Sequence, residues 1–368
     1  MISRDTYLDW NATAPLRPEA AVAIADALAQ GGNPSSVHRS GRAARQLLEQ
    51  SREAVAVLAG APADGVVFTS GGTEANQLTL LGSGRARVLV SAVEHSSVLQ
   101  GMPDAERIPV DSDGRVDPSA LAALLEADDR PALVSVMLAN NETGVIQPVA
   151  EIAAVAHAHG ALFHCDAVQA TGKIPLSLAQ TGADFLTLSG HKIGGPAGIG
   201  ALIVASGAEV TPLLRGGGQE RNRRAGTENL AGIAGFAAAA AASDPAEYDR
   251  VRALRDRLEA ALPSDAVVIA RGASRLPNTS AIAMPGVPAE TQVIALDLDG
   301  VMVSAGAACS SGKVGPSHVL AAMGLAPKIA SATIRVSLGW STTEADIGHF
   351  LDAWRALYRR TRKQARAA

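Results

Sequence analysis

The sequence has 368 residues, of which 47% are hydrophobic and 18% are charged, and its formal net charge is −4. This composition excludes a disordered chain, and the lack of a positive net charge argues against a nucleic-acid-binding protein. Only Cys165 and Cys309 are present, which excludes a disulfide scaffold and predicts a cytoplasmic protein. The N-terminal residues lack a hydrophobic signal region, and no apolar run has the length of a membrane span, so no membrane association is expected.

Short apolar runs alternate with helical patterns over residues 64–205, which predicts βαβ units and a mostly parallel sheet. The strands are expected at residues 65–70, 87–92, 132–138, 161–166, 184–189 and 200–205. Helical patterns lie between several of them, including residues 73–81 and 149–159. The fold class is therefore α/β, and in such sheets ligands bind beyond the carboxyl ends of the strands.

A second, smaller α+β domain is predicted towards the C-terminus, after an alanine-rich helix at residues 235–243. It contains helical patterns at 248–262 and 344–358 and strand patterns at 267–271, 279–284 and 333–336. We predict a large domain of residues 14–244 and a small domain made of residues 1–13 and 245–368.

The first strand of the large domain runs into glycines and a helix. Gly72 and Thr73 open that helix, where backbone N–H groups and the helix dipole favour an anion such as a phosphate. An ordinary helix start is the alternative. His95 follows the next strand, where an imidazole can stack on a planar ring and move protons, or serve only as a hydrogen-bonded structural residue.

Polar residues also follow the later strands. Asn141 lies in the loop 140–144, where it can bind a ring substituent or a substrate. Asp166 ends a strand, and Gln169 follows it by one turn. A carboxylate there can pair with the protonated ring nitrogen of pyridoxal 5′-phosphate (PLP), although capping of a helix is the commoner role of such an aspartate.

Lys192 lies between an apolar strand and a glycine cluster, after Ser189 and His191. An amine held at the end of a strand is suited to forming a Schiff base, whereas a surface lysine in a turn would look the same in sequence. The loop 216–227 combines glycines with three arginines, which indicates an anion site or an interface. Arg335 lies within an apolar strand pattern, and its guanidinium is suited to a carboxylate.

The two cysteines are expected to differ. Cys165 belongs to an apolar strand and is predicted to be a small buried residue. Cys309 lies among glycine, alanine and serine residues in the segment 303–315, which favours an exposed and reactive thiol.

Taken together, the motifs resemble those of the cysteine desulfurases of the class-V aminotransferase family, above all the group that supplies sulfur for iron–sulfur clusters. The resemblance covers essentially the whole chain. Its short motifs, whose order and spacing are specific, lie at 7–15, 32–38, 69–74, 94–95, 140–144, 166–169, 189–192, 224–228, 304–311 and 334–339.

The resemblance implies fold type I of the PLP-dependent transferases and a homodimer with its sites between subunits. It implies that Lys192 carries PLP as a Schiff base, that His95 stacks on the ring, that Asp166 pairs with the ring nitrogen and that Gln169 binds the ring hydroxyl. The residues implied for the phosphate are Gly72, Thr73, Ser189, His191 and, from the partner subunit, Thr227. Asn141 and Arg335 would bind the substrate carboxylate.

The implied reaction converts L-cysteine to L-alanine and leaves the sulfur on Cys309 as a persulfide. The sulfur would pass to an acceptor protein, an iron–sulfur scaffold in the resembling proteins, where Cys309 would touch iron only transiently. The alternatives are a selenocysteine lyase, a class-V aminotransferase, which would not need Cys309, and a catalytically silent assembly partner of the same fold.

Overall fold

The structure is a computed structural model that describes residues 5–306 and 317–367, with side chains described up to Arg362. Cys309, the predicted reactive thiol, lies outside the described residues. The strands are β1 (Thr6–Tyr7), β2 (Val66–Thr69), β3 (Arg87–Ser91), β4 (Glu106–Ile108), β5 (Ala132–Ser135), β6 (Leu162–Asp166), β7 (Phe185–Ser189), β8 (Gly200–Val204), β9 (Val267–Val268), β10 (Thr279–Ala283), β11 (Val301–Met302), β12 (Ser304–Ala305) and β13 (Thr333–Ser337).

The helices cover the sheets and connect their strands. They are α1 (Pro18–Gln30), α2 (Arg39–Ala59), α3 (Gly72–Gly82), α4 (Ser96–Leu99), α5 (Pro118–Glu126), α6 (Val149–Ala158), α7 (Leu178–Thr181), α8 (Leu230–Ala241), α9 (Glu247–Ala260), α10 (Ala289–Leu298), α11 (His318–Ala322), α12 (Pro327–Ala330) and α13 (Glu344–Ala367). Short 3₁₀ turns occur at Ala63–Gly65 and Gly190–Lys192, and a turn with left-handed residues lies at Gln219–Asn222.

The largest sheet has the strand order β2-β8-β7-β6-β5-β3-β4, in which β8 alone runs antiparallel to its neighbours. Its strands β5 and β7 are buried along their whole length, because helices cover both faces of the sheet. The predicted α/β class with a mostly parallel central sheet is therefore confirmed.

The C-terminal strands form a separate antiparallel sheet of order β12-β13-β10-β9. Helices α9, α10 and α13 pack on its side of the molecule around an apolar cluster that includes Trp354 and Phe350. The strand predicted at 267–271 is only two residues long, because Ala270 adopts a positive φ of 50° that a strand cannot contain.

Chain segments near the N-terminus join the two sheets. β1 pairs with β11, and the backbone N–H of Asn11 donates to Ser337 Oγ at 2.9 Å, next to the end of β13. Asn11 thereby reaches the carboxyl ends of the large sheet. The predicted division into residues 14–244 and the remainder stays a prediction.

Candidate active site

A cavity of about 310 Å³ lies beyond the carboxyl ends of the parallel strands of the large sheet. Its volume falls at the lower end of the range of small-molecule sites. The cavity is lined by Asn11, Gly72, Thr73, Asn76, His95, Ser97, Met137, Ala139, Asn141, Asp166, Val168, Gln169, Ser189, His191, Lys192 and Arg335. Parallel strands bring these residues together because their carboxyl ends share one edge of the sheet.

One wall of the cavity is the N-terminus of α3. Gly71, the residue before the helix, has no side chain that could cap it. The first backbone N–H groups of α3 are therefore available to an anion. Gly72 is also tightly packed, because a Cβ built there would lie 3.0 Å from Val168 Cγ2. The chain thus brings bare backbone amides and the positive end of the helix dipole to the cavity.

Asp166 is a carboxylate at the end of β6 with most of its surface buried. Its Oδ1 accepts from the Val168 backbone N–H at 3.0 Å, and its Oδ2 accepts from Asn76 Nδ2 at 2.8 Å. The carboxylate requires a donor, so the Asn76 amide has its nitrogen towards Asp166. Asn76 Oδ1 is then buried with no hydrogen-bond partner in the described part of the chain. A carboxylate beside an unsatisfied acceptor is suited to a cationic N–H group.

His95 precedes α4 and caps it. Its Nδ1 accepts from the Ser97 backbone N–H at 3.1 Å, so the neutral ring carries its proton on Nε2. Burial lowers the pKa of His95, and the nearby Lys192 lowers it further, against the opposing effect of Asp166. The imidazole at the cavity is therefore neutral at physiological pH, with an N–H to offer.

Lys192 lies in the 3₁₀ turn after β7, as its place between strand and glycines predicts. Its Nζ donates to the backbone carbonyls of Asn11 at 2.6 Å and Ala12 at 2.8 Å. The neighbouring His191 bonds Thr13 Oγ1 through Nδ1 at 3.1 Å. Burial, followed by the charges of Lys192 and Lys173, lowers the pKa of His191 to about 4, so it is neutral at pH 7.

Arg335 approaches the cavity from the smaller sheet and is almost fully buried. Its Nη2 bonds Asp9 Oδ1 at 2.7 Å, and its Nη1 donates to the Asn141 carbonyl at 3.1 Å. Its Nε is buried and has no hydrogen-bond partner among the residues that the structure describes. A guanidinium that lines a cavity and has an unused buried donor is suited to a carboxylate ligand.

The structure brings together nearly all of the residues that the sequence singled out. Gly72, Thr73, His95, Asn141, Asp166, Gln169, Ser189, His191, Lys192 and Arg335 all line the cavity. Thr227 of the same chain lines a different cavity, with Ser70 and Arg224, so its role at the site of the partner subunit stays a prediction. The role of Cys309 stays a prediction as well.

Four polar residues of this region were not predicted from the sequence: Asp9, Asn11, Asn76 and Lys173. Asn11 bonds both Lys192 and Gln169, and Asn76 bonds Asp166. Asn76 offered a signal, because it lies one helical turn after Thr73 on α3 and so faces the same way. Asp9 and Asn11 lie within the motif 7–15, but no role could be assigned to them, because only the tertiary fold brings them to β13.

The remaining cysteine, Cys165, is fully buried within the apolar core of the large sheet, as predicted. Burial, followed by the charges of Asp166 and Glu94, raises the pKa of its thiol well above the usual value. Such a thiol is not reactive.

In the described part of the chain, no helix combines the length and hydrophobicity needed to cross a lipid bilayer. Nor do three or more His, Cys, Asp or Glu side chains gather there in a way that would bind a metal ion.

Comparisons with known proteins agree with this geometry. The family model Aminotransferase class-V matches residues 6–350. A cysteine desulfurase from Cereibacter sphaeroides is 46% identical over 94% of both chains. A protein named cysteine desulfurase IscS from Dictyoglomus turgidum is 40% identical over 95% of this chain and 94% of its own length. The X-ray structure of a NifS-like protein from Rickettsia africae covers 97% of this chain and 100% of its own, with a TM-score of 0.90 and 37% identity.

Proposed function

The chain belongs to the class-V aminotransferase family of PLP-dependent enzymes, and from this premise we propose that it is a cysteine desulfurase. It would convert L-cysteine to L-alanine and receive the sulfur on Cys309. The observation that supports the proposal most is that Lys192, Asp166 and Arg335 line one cavity although they come from distant parts of the chain. An amine for a Schiff base, a partner for a ring nitrogen and a carboxylate-binding group are the groups that an amino-acid-transforming PLP enzyme requires.

The residues of the cavity fit PLP. The uncapped N-terminus of α3 suits the phosphate, with Gly72, Thr73, Ser189, His191 and Thr227 of the partner subunit as its proposed ligands. The Asp166 carboxylate, beside the unsatisfied Asn76 Oδ1, suits a protonated ring nitrogen. His95 would stack on the ring, and Gln169 would donate to its hydroxyl oxygen.

When bound, PLP supplies an electron sink that weakens the bonds at the amine-bearing carbon of an amino acid. The protein's own groups then manage charge and protons. Asp166 holds a negative charge at the ring, and Lys192 Nζ would carry PLP between turnovers and take the α-proton of the substrate when displaced. His95 is neutral, so it adds no second positive charge beside Lys192.

The substrate carboxylate would lie on Arg335 and Asn141. The unused Arg335 Nε gives the guanidinium a donor for this purpose without breaking its bond to Asp9. The Cys309 thiolate would then attack the substrate sulfur, forming an S–S bond as the C–S bond breaks. The electron pair of the C–S bond goes to carbon, which takes up a proton, so cysteine and the thiol become alanine and a persulfide.

The proposal extends to partners and organisation. The chain would act as a homodimer, and its persulfide sulfur would pass to an acceptor protein, an iron–sulfur scaffold, where Cys309 would touch iron only transiently. A name such as IscS in a relative supports this acceptor class. A cytoplasmic location and the division into a large domain (14–244) and a small domain (1–13, 245–368) belong to the same proposal.

The test is to incubate the purified, PLP-loaded protein with L-cysteine, to quantify alanine, and to locate the persulfide by mass spectrometry. We expect one alanine per sulfur transferred and the persulfide on Cys309. Lys192→Ala should lower the rate of alanine formation at least about a thousandfold, because it removes both the attachment point and the base.

Cys309→Ala separates the proposal from its rivals. It should abolish sulfide release while the visible absorbance of bound PLP stays unchanged. Cys165→Ala is the matched control and should retain activity, because that thiol is buried. Desulfuration retained by Cys309→Ala would contradict the mechanism, and no alanine from the parent protein would contradict the function.

A further inference from the structure

A second lysine lies directly behind the wall of the cavity. Lys173 follows Asp166 by seven positions and has only 2% of its surface exposed. The chain between them is wound into successive turns, with Lys173 N–H bonding the Ala170 carbonyl at 3.0 Å. This winding places Lys173 four positions after Gln169 on the same side, so the two side chains meet.

The partners of Lys173 are oxygen atoms of neutral amides. Its Nζ donates to Gln169 Oε1 at 3.0 Å and to Asn11 Oδ1 at 3.3 Å. Burial lowers its pKa well below the usual value, and the positive charges of Lys192 and Arg335 lower it further. Two acceptors match the two N–H groups of an uncharged amine, so the geometry and the pKa agree.

These bonds determine which way the Gln169 amide points. The lysine takes the amide oxygen, and Gln169 Nε2 in turn donates to the Asn11 backbone carbonyl at 3.0 Å. The same carbonyl accepts from Lys192 Nζ at 2.6 Å. The Asn11 side chain is held as well, because its Oδ1 accepts from Asn278 Nδ2 at 3.0 Å. Lys173, Gln169, Asn11 and Lys192 thus form one chain of hydrogen bonds.

We propose that Lys173 is a positioning residue that holds Gln169 with its amide nitrogen towards the cavity, so that Gln169 presents an N–H donor to the ring oxygen of the cofactor. This inference rests on the proposed function, because it takes the cavity to bind PLP. Without Lys173, only the bond from Gln169 Nε2 to the Asn11 carbonyl would oppose a half-turn of the Gln169 amide, which would present its oxygen and repel a ring oxygen. Lys173 acts through Gln169 and does not itself touch the ligand.

The experiment is a double-mutant cycle on full-length protein freed of cofactor, with Lys173→Met, Gln169→Leu and the double variant. The probe is pyridoxamine 5′-phosphate, which has the ring oxygen and the phosphate but forms no covalent bond to Lys192. Its dissociation constant is measured by calorimetry, independently of activity. We expect each single variant to weaken binding about fivefold to tenfold, the usual effect of one hydrogen bond.

The decisive result is the double variant. If Lys173 acts through Gln169, the double variant binds the probe no more weakly than Gln169→Leu alone. Losses that multiply, or unchanged affinity in Lys173→Met, would overturn the inference. A failure of the proposed function looks different: the parent protein would not bind the probe, or Gln169→Leu would have no effect.

A merely structural role is separated by urea unfolding of the same cofactor-free proteins. A packing defect caused by Lys173→Met would lower the free energy of unfolding equally in the parent and in Gln169→Leu. The proposed coupling between Lys173 and Gln169 concerns the affinity for the probe alone. Should Lys173→Met not unfold cooperatively, Lys173→Gln replaces it. Glutamine is too short to reach both acceptors, and the same loss of affinity, again absent in the Gln169→Leu background, is expected.

Discussion

Two buried basic side chains, Arg52 and Lys173, show how differently this protein surrounds such a group in its framework and beside its active site. The Arg52 side chain is 3% exposed and meets the Glu220 carboxylate with both prongs, at 2.7 and 2.9 Å, while Nη1 also donates to the Val66 carbonyl. Lys173 is equally buried but meets only the amide oxygens of Gln169 and Asn11. The Glu220 carboxylate neutralises the charge of Arg52, whereas the surroundings of Lys173 favour loss of its proton.

The pKa values follow this difference. Burial alone lowers the pKa of Arg52, but the hydrogen bonds and charge of Glu220 outweigh it, so the pKa is raised. Burial lowers the pKa of Lys173, and the positive charges of Lys192 and Arg335 lower it further. The Arg52 pair joins α2, β2 and the turn Gln219–Asn222, whereas the bonds of Lys173 lead to cavity residues. The ion pair of Arg52 stabilises the framework, whereas the Lys173 amine bonds residues that line the cavity.

The largest expected effect comes from breaking the framework pair. Glu220→Ala should lower the free energy of unfolding by about 3–5 kcal/mol, because it leaves buried Arg52 with only the half-exposed Glu49 carboxylate, 3.3 Å from Nε, as a charged partner. It also removes the carboxylate that accepts from the Phe68 backbone N–H at 2.8 Å. Urea denaturation of the cofactor-free protein measures this loss.

The matched control removes both charges. Arg52→Met combined with Glu220→Leu should be considerably more stable than Glu220→Ala, since no uncompensated charge remains. A loss below about 1 kcal/mol in Glu220→Ala would contradict this expectation and show that Glu49 or water compensates the Arg52 charge.

A third buried basic residue, His164, extends the comparison to acidic pH. His164 is fully buried on β6 between Ser135 Oγ and Thr187 Oγ1, and burial lowers its pKa to about 4. As pH falls below about 6.5, His164 becomes protonated in the unfolded chain but not in the folded chain. The free energy of unfolding therefore decreases until about pH 4. Each unit of pKa difference corresponds to about 1.4 kcal/mol, so the loss by pH 4.5 is roughly 2–3 kcal/mol.

The measurement is urea unfolding at pH 7 and pH 4.5 for the parent and for His164→Gln. The stability advantage of the parent should shrink by that amount on acidification, and other titrating groups cancel in the difference. His159→Gln, at the exposed end of α6, is the matched surface control. An advantage that stays constant with pH would show that folded His164 accepts a proton.

Much of this organisation was visible in the sequence. Asp166, His95 and Lys192 follow apolar strands, and parallel strands must bring their carboxyl ends to one edge, so a shared site was predictable. The Arg52–Glu220 pair was not, because 168 positions separate its members and nothing local links them. Lys173 was overlooked because a lysine after a glycine looks like a surface residue, and only the winding after Asp166 shows that it is buried.

Removal of the Lys173 amine should change the free energy of unfolding far less than removal of the Glu220 carboxylate. Lys173→Met loses two hydrogen bonds, to Gln169 and Asn11, but also removes the cost of a buried amine, so the free energy of unfolding at pH 7 should change by less than about 1.5 kcal/mol. The folded pKa of Lys173 is depressed, so the folded state binds fewer protons than the unfolded chain. The parent therefore gains stability as pH rises towards about 10.4.

Urea unfolding at pH 7 and pH 9.5 checks this sign. The difference between Lys173→Met and the parent should move in favour of the parent at the higher pH. Movement in the opposite direction would show that folded Lys173 is charged, with a partner that raises its pKa.

The smallest effect concerns the backbone that the framework pair holds. Glu220, Arg221 and Asn222 all have positive φ, between 45° and 64°, a left-handed conformation that most side chains disfavour and asparagine tolerates. Arg221→Gly should therefore raise the free energy of unfolding by about 0.5 kcal/mol, after the loss of its surface bond to the Asp64 carbonyl at 2.8 Å. Asn222→Gly should change it by only a few tenths, because its strain is already low. Both are measured by urea unfolding beside Glu220→Ala. If the Arg52–Glu220 pair holds the turn in its strained left-handed conformation, Arg221→Gly should also recover part of the free energy of unfolding that Glu220→Ala loses. If the two changes are simply additive, the turn is stable without the pair.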